Sequence, residues 1–154
     1  MKRISVLLIG LTCLPFCLSA QSLTPNDPKF SLQWNLASIG APNAWSITTG
    51  STNIVVVVID TGVDYTHPDL APNMWRNPGE TGLDANGHDK ANNGIDDDGN
   101  GYVDDVHGID VYRQDGDPLE IPYFDGITTY YHGSDCAGII SAASNNGIGI
   151  AGIN

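Results

Sequence analysis

The dominant pattern along the chain is an unbroken apolar run, Ile54-Val55-Val56-Val57-Val58-Ile59, ended by Asp60, Thr61 and Gly62. A continuous run, as opposed to an alternating one, predicts a strand covered on both faces, as at the centre of a parallel α/β sheet. Open α/β sheets collect ligands and catalytic groups just past the carboxyl ends of their strands, so Asp60 is either a turn cap or a functional carboxylate. The second pattern is helical. Cys136, Ile139, Ile140 and Ala143 fall at i, i+3, i+4 and i+7, predicting an amphipathic helix over 132–143 with His132 at its entrance. A shorter helix is predicted over 42–48, with Pro42 at its start and Gly50 just past its end. Residues 106–112 read as a short strand. Residues 21–34 read as an extended arm because of Pro25 and Pro28. Residues 71–106 and 113–131 carry no period and read as irregular.

The N-terminal 20 residues follow a different logic. Lys2 and Arg3 precede an apolar run from Ile4 to Leu18, and Ser19-Ala20 supplies small residues for cleavage. This is the outline of a secretory signal peptide, with a lipoprotein signal at Cys17 as the runner-up. The remainder has room for one domain. The whole chain holds 6 basic and 18 acidic residues; Lys2 and Arg3 leave with the signal, so four basic residues stand against 18 acidic ones, a net charge of −14. That balance argues against nucleic acid or an anionic membrane as partner. Beyond the signal only Cys136 remains, so no intramolecular disulfide can form despite export.

Thirteen of the acids lie between Glu80 and Asp125, and their densest stretch is Asp96-Asp97-Asp98-Gly99-Asn100-Gly101-Tyr102-Val103-Asp104-Asp105. Asp96, Asp98 and Asn100 stand at positions one, three and five, Gly101 at six, Tyr102 at seven and Asp104 at nine, as in the first half of a calcium loop. Position twelve is His107 and not a bidentate Glu, so this is not an EF-hand. Carboxylates crowded this closely repel one another unless a hard divalent cation neutralises them, and the competing reading is a solvated acidic loop.

The segment Val58-Ile59-Asp60-Thr61-Gly62-Val63-Asp64 with His67-Pro68-Asp69-Leu70 closely resembles the aspartate motif of the subtilisin-like serine proteases. His132-Gly133-Ser134-Asp135-Cys136-Ala137-Gly138 resembles the histidine motif of that family, with Ser134 in place of Thr and Asp135 in place of its second His. The resemblance implies a subtilisin-like α/β fold, a parallel sheet with helices on both faces, cut partway: residues 21–154 are the N-terminal part of a catalytic domain with an acidic calcium-type insertion at about 80–110. It implies that Asp60 orients the imidazole of His132 and that His132 is the general base toward a serine. Asp135 is expected to raise the His132 pKa and to compete with Asp60 for the ring. Asn26-Asp27-Pro28, Phe30 and Ala41-Pro42-Asn43-Ala44-Trp45 look like the thermitase-type N-terminus, and Ala143 to Gly152 resembles a family calcium loop. By that likeness Asp27, Asp69, the side chain of Asn146 and the carbonyls of Ala143, Ile148 and Ile150 surround one calcium ion. No serine, including Ser134, Ser141 and Ser144, sits in a nucleophile motif, and the oxyanion Asn segment is absent from these residues. The expectation is a secreted, calcium-stabilised serine endopeptidase acting on peptide or protein substrates, present as a fragment inactive by itself. The alternative is a non-catalytic secreted calcium-binding remnant. No nucleic acid, and no membrane after signal cleavage, is expected as partner, and the oligomeric state stays open.

Overall fold

The computed structural model describes residues 23–154, so the signal-peptide reading of residues 1–20 lies outside the described residues. Two short helices, α1 (Trp34–Ser38) and α2 (Ala41–Trp45), meet at Gly40, whose φ of 70° makes the corner. Pro42 stands in the first turn of α2, where its missing N–H costs nothing. Helix α1 begins inside the stretch expected to be an extended arm. Pro25 and Pro28 are behind it by then, and burying Leu36 against Ala41, Trp45 and Ala151 favours helix there. The C-terminal segment docks on this corner. Gln33 exchanges two hydrogen bonds with the backbone of Ala151, both 2.8 Å, and the Trp45 indole donates to the Ile153 carbonyl at 2.8 Å.

The apolar run Ile54–Ile59 forms no strand. Val57 and Ile59 are 75% and 93% exposed, and only Val58 packs inward, on the cluster of Val63, Leu70, Ala137 and Ala142. A strand exists through its ladder, and among the described residues nothing pairs with this run. The doubly covered central strand and its parallel sheet are therefore not formed by these residues. The expected strand over 106–112 is also absent. There the Asp110 carboxylate accepts from the amides of Tyr112 and Arg113, a local turn that competes with sheet bonding. The sheet that does form lies where the sequence reads as irregular: β1 (Tyr123–Phe124) and β2 (Thr129–Tyr130) make a small antiparallel hairpin. Its turn is held by Asp125 accepting from the amides of Ile127 and Thr128. Two-residue strands are too short to leave a period in the sequence.

Helix α3 (His132–Ser141) matches the expected helix, but it is buried through Gly133, Ala137 and Gly138. The Cys136, Ile139, Ile140 stripe is half-buried or exposed. Small residues serve on this face: Gly133 abuts the Gly62 carbonyl oxygen, a Cβ on Gly138 would touch the Ile150 side chain at 3.4 Å, and Ala137 packs with Val63, Leu70 and Ala142. The amides of Ile153 and Asn154 donate to the carbonyls of Ile139 and Ile140, satisfying acceptors that the helix end leaves free. No helix among the described residues is long and apolar enough to cross a membrane.

Candidate active site

The first turn of α3, the loop after the apolar run and the segment 118–120 converge on one point. The Val63 amide donates to the Pro118 carbonyl at 2.9 Å, holding the segment beside the Asp60 loop. Gly133 is required where helix and loop touch: a Cβ there would lie 1.9 Å from the Gly62 carbonyl oxygen and 3.3 Å from Asp60 Cβ. This contact brings His132 Nδ1 to 2.8 Å from Asp60 Oδ2 and 2.9 Å from Oδ1. The carboxylate is fixed in turn by the Thr61 amide at 2.7 Å, with the Thr61 hydroxyl oxygen 3.1 Å away.

The electrostatics follow from these contacts. The Thr61 amide, then the His132 ring, hold Asp60 below the usual carboxylate range. The hydrogen bond to Asp60, then the Asp60 charge, push His132 above the ordinary histidine value. Asp135 adds only a smaller charge effect. The expected competition is not seen: both Asp60 oxygens lie on His132 Nδ1, and Asp135 makes no side-chain hydrogen bond to the ring. Cys136 Sγ lies 3.9 Å from the same nitrogen.

Glu120, which the sequence pattern does not single out, holds the arrangement together. It is 6% exposed and accepts from the Thr61 hydroxyl (2.5 Å), the Gly133 amide (3.0 Å), the Ser134 amide (2.9 Å) and the Ser134 hydroxyl (2.5 Å). Ser134 Oγ also accepts from the Asp64 amide at 2.8 Å. One carboxylate thus ties the residue after Asp60 to the two residues after His132. Two of its donors are amides at the α3 N-terminus, where a negative charge is favoured.

Asp27 and Asp69 are buried and meet at the 145–150 loop. Asp27 accepts from the amides of Asn145 (2.9 Å) and Asn146 (3.2 Å). Asp69 accepts from Asn146 Nδ2 (2.7 Å) and the Ile150 amide (3.1 Å), and the Ala143 amide donates to its carbonyl at 2.7 Å. The Ile148 amide donates to Asn146 Oδ1 at 2.7 Å. Among the described residues no basic side chain pairs with either acid. Two buried carboxylates without a counter-charge suit a cation, while the Asn146 side chain here is bonded at both ends, its nitrogen to Asp69 and its oxygen to the Ile148 amide.

In the acidic loop Asp96 and Asp98 come together, and buried Glu80 joins them: each offers a carboxylate oxygen, all within 4.8 Å of one another. Asn100 Oδ1 accepts from the Tyr102 amide at 2.8 Å, and its Nδ2 donates to Asp105 at 2.9 Å. Asp104, with φ 52°, turns its carboxylate to the Gly94 amide. His107 stacks on Tyr65 at 4.5 Å, and its Nδ1 faces the Trp75 carbonyl at 3.1 Å.

Comparison with known proteins points the same way. Residues 51–154 match the family model described as the subtilase family. Subtilisin-like protease 1 of Plasmodium berghei (strain Anka) is 40% identical over 131 residues, 84% of this chain and 19% of that protein. Halolysin of Haloferax mediterranei is 31% identical over 131 residues, 85% of this chain and 19% of that protein. The thermophilic serine proteinase of Bacillus sp. (strain AK1) is 32% identical over 131 residues, 84% of this chain and 23% of that protein. The chain spans about a fifth of the length of these relatives.

Proposed function

The chain belongs to the subtilase family, whose fold is α/β, and from that membership we propose that it supplies the acid and the base of a secreted serine endopeptidase. The observation that carries this is the contact of His132 Nδ1 with both oxygens of Asp60, at 2.8 and 2.9 Å. With Nδ1–H donated to Asp60, the ring keeps Nε2 unprotonated and able to take the proton of an attacking serine hydroxyl. The same ring then returns that proton to the leaving amine of the cleaved peptide bond. Asp60 stays ionised and stabilises the imidazolium formed in between. The serine is the third component, and no serine among these residues stands in a nucleophile motif. Hydrolysis therefore requires the rest of a subtilase domain, and these residues alone leave peptides intact.

Calcium belongs to the same proposal as a structural ion. It would be held by Asp27, Asp69, Asn146 and the carbonyls of Ala143, Ile148 and Ile150, and again by the acidic loop at Asp96 and Asp98, with Asn100, Tyr102 and Asp104 as further donors. In both places it would neutralise carboxylates and pin loops, leaving bond cleavage to the triad. Extracellular location is part of the reading, supported by the signal-like N-terminus and by the extracellular serine protease of Natrialba magadii, 29% identical over 130 residues.

The test is a chimera in which residues 25–154 replace the matching segment of the Bacillus thermophilic serine proteinase. The expected outcome is hydrolysis of a chromogenic peptide, reduced at least about 10³-fold by His132→Ala, on the scale of removing a triad member. A folded chimera whose hydrolysis is indifferent to His132 refutes the proposal.

A further inference from the structure

We infer that Glu80 is the buried anchor ligand of a calcium site, closing over the acidic loop from outside it with Asp96 and Asp98 as the other carboxylates. The inference rests on the reading that this loop takes a hard divalent cation. It adds the residue that turns an exposed turn into a cage. Glu80 is fully buried, at 0% exposure. Its Oε1 accepts from the amides of Asp97 (2.7 Å) and Asp98 (3.1 Å), which clamps the side chain onto the loop backbone. Its Oε2 has no hydrogen-bond partner, the one such buried side-chain atom among the described residues. A buried carboxylate oxygen left without a donor is costly, and native structures pair such groups with a proton donor, a water or a metal.

The neighbours favour the metal. Oxygens of Glu80, Asp96 and Asp98 lie within 4.8 Å of one another. Ligands sharing a calcium ion at about 2.3–2.6 Å can stand up to ~5 Å apart, whereas magnesium at about 2.0–2.1 Å brings them closer. Three carboxylates converge here with no basic side chain among them. Lys90 is engaged elsewhere, with Nζ 4.0 Å from Asp97 and donating to the Gly79 carbonyl at 3.2 Å. Asp96 and Asp98 are already aimed: Asp96 accepts from the amides of Gly99, Asn100 and Gly101, and Asp98 from the Asn100 amide and Asn77 Nδ2. Each carboxylate keeps lone pairs for a metal beyond these bonds. Gly79, next to Glu80, lets Asp98 approach; a Cβ there would fall 2.5 Å from Asp98 Cβ.

The experiment is a titration of the chain with calcium and, separately, with magnesium, followed by the amide NMR signals of Asp97 and Asp98. Those two amides report on the Glu80 carboxylate directly. Glu80→Gln keeps the Oε1 acceptor but replaces Oε2 with a donor, so the loop clamp survives while the ligand is lost. Saturable shifts with calcium are expected, with affinity at least about tenfold weaker in Glu80→Gln and with magnesium, since ligand charge and cavity size set affinity. Asp96→Asn, on the loop itself, should weaken binding comparably. If calcium leaves the wild-type signals unmoved, the loop has no cation site and the inference falls with that reading. If calcium binds wild type and Glu80→Gln alike while Asp96→Asn weakens it, the loop reading stands and Glu80 is not a ligand. No hydrolysis is measured, so neither result depends on the peptidase proposal.

Discussion

Replacing Glu120 by Gln should loosen the entrance of α3 without removing any residue of the catalytic pair. The wild-type carboxylate divides its work: Oε1 takes the Thr61 hydroxyl and the Gly133 amide, and Oε2 takes the Ser134 amide and hydroxyl. A glutamine keeps one oxygen and puts an NH2 where the other stood. Hydroxyls can rotate away from that NH2, but a backbone N–H cannot, so one of the two amides loses its bond to the charged acceptor: Ser134 is then left with no other acceptor among the described residues, whereas Gly133 keeps only the neutral Thr61 hydroxyl oxygen at 3.1 Å. A hydrogen bond to a charged acceptor contributes about 1.5–3 kcal/mol. At about 1.4 kcal/mol per factor of ten, this amounts to roughly 10- to 150-fold faster amide exchange if α3 opens locally. Hydrogen exchange read at Gly133 and Ser134 is the assay, with the α2–α1 corner as an internal reference. The effect is also pH-dependent in wild type. Burial pushes the Glu120 pKa up, but the bonds from Ser134, Thr61 and the Ser134 and Gly133 amides outweigh it and leave it lowered. Protection from Glu120 is therefore complete above the ordinary glutamate value and is lost as pH falls through the lower folded value. Exchange at both Gly133 and Ser134 within about twofold of wild type, in a variant with unchanged far-UV dichroism, would refute this reasoning.

Asp60→Asn should drop the His132 pKa toward the ordinary value of about 6.5, read from the ring signals in an NMR titration; an unchanged raised value would mean another group sets it. In wild type the raised His132 pKa stabilises the fold fully below that ordinary value and less as pH rises through the folded pKa, while the lowered Asp60 pKa stabilises above the usual aspartate range and less as pH falls through its own. Gly133→Ala places a Cβ 1.9 Å from the Gly62 carbonyl oxygen, so α3 must retreat and the His132 pKa should fall as in Asp60→Asn; retention of the wild-type titration would show that the contact yields elsewhere. The exposed run at Ile54–Ile59 should make the isolated chain associate with concentration and bind an apolar dye, and Val57→Lys with Ile59→Lys should reduce both; a wild type that sediments as a monomer at every concentration tested contradicts this.

What the sequence made legible follows the reach of each signal. The α3 helix and the α2 helix were readable because their patterns are local: a spacing of three and four, a proline at the start, a glycine past the end. The hairpin of β1 and β2 was not, since two-residue strands carry no alternation. The apolar run shows the limit from the other side. Its composition reports the surroundings such a segment is suited to, and among the described residues those surroundings are missing, so an apolar segment lies exposed with no ladder. The stripe on α3 misled for a related reason. Period identifies which residues share a face, but the face that is buried here is that of Gly133, Ala137 and Gly138, set against the Gly62 backbone and the Ile150 and Val63 side chains, and close approach at Gly133 favours the smallest residue over the most apolar.

The acids divide along the same line. Asp60 and His132 were nameable because a motif marks each of them, and the fold needed only to bring them together. Glu80 and Glu120 belong to no motif, and the sequence presents them as two charges in a long acidic stretch. Both are buried, and both accept backbone amides from a segment distant in the chain: Glu120 from the start of α3, Glu80 from the acidic loop 17 and 18 residues on. Their difference lies in what remains unpaired. Glu120 has donors on both oxygens, so its charge is already satisfied and its work is to position. Glu80 has donors on one oxygen only, so its charge is half answered, and two further carboxylates stand beside it. Net charge counts these two residues alike. The number of donors on each oxygen separates them, which is why one is assigned to the geometry of the base and the other to a cation.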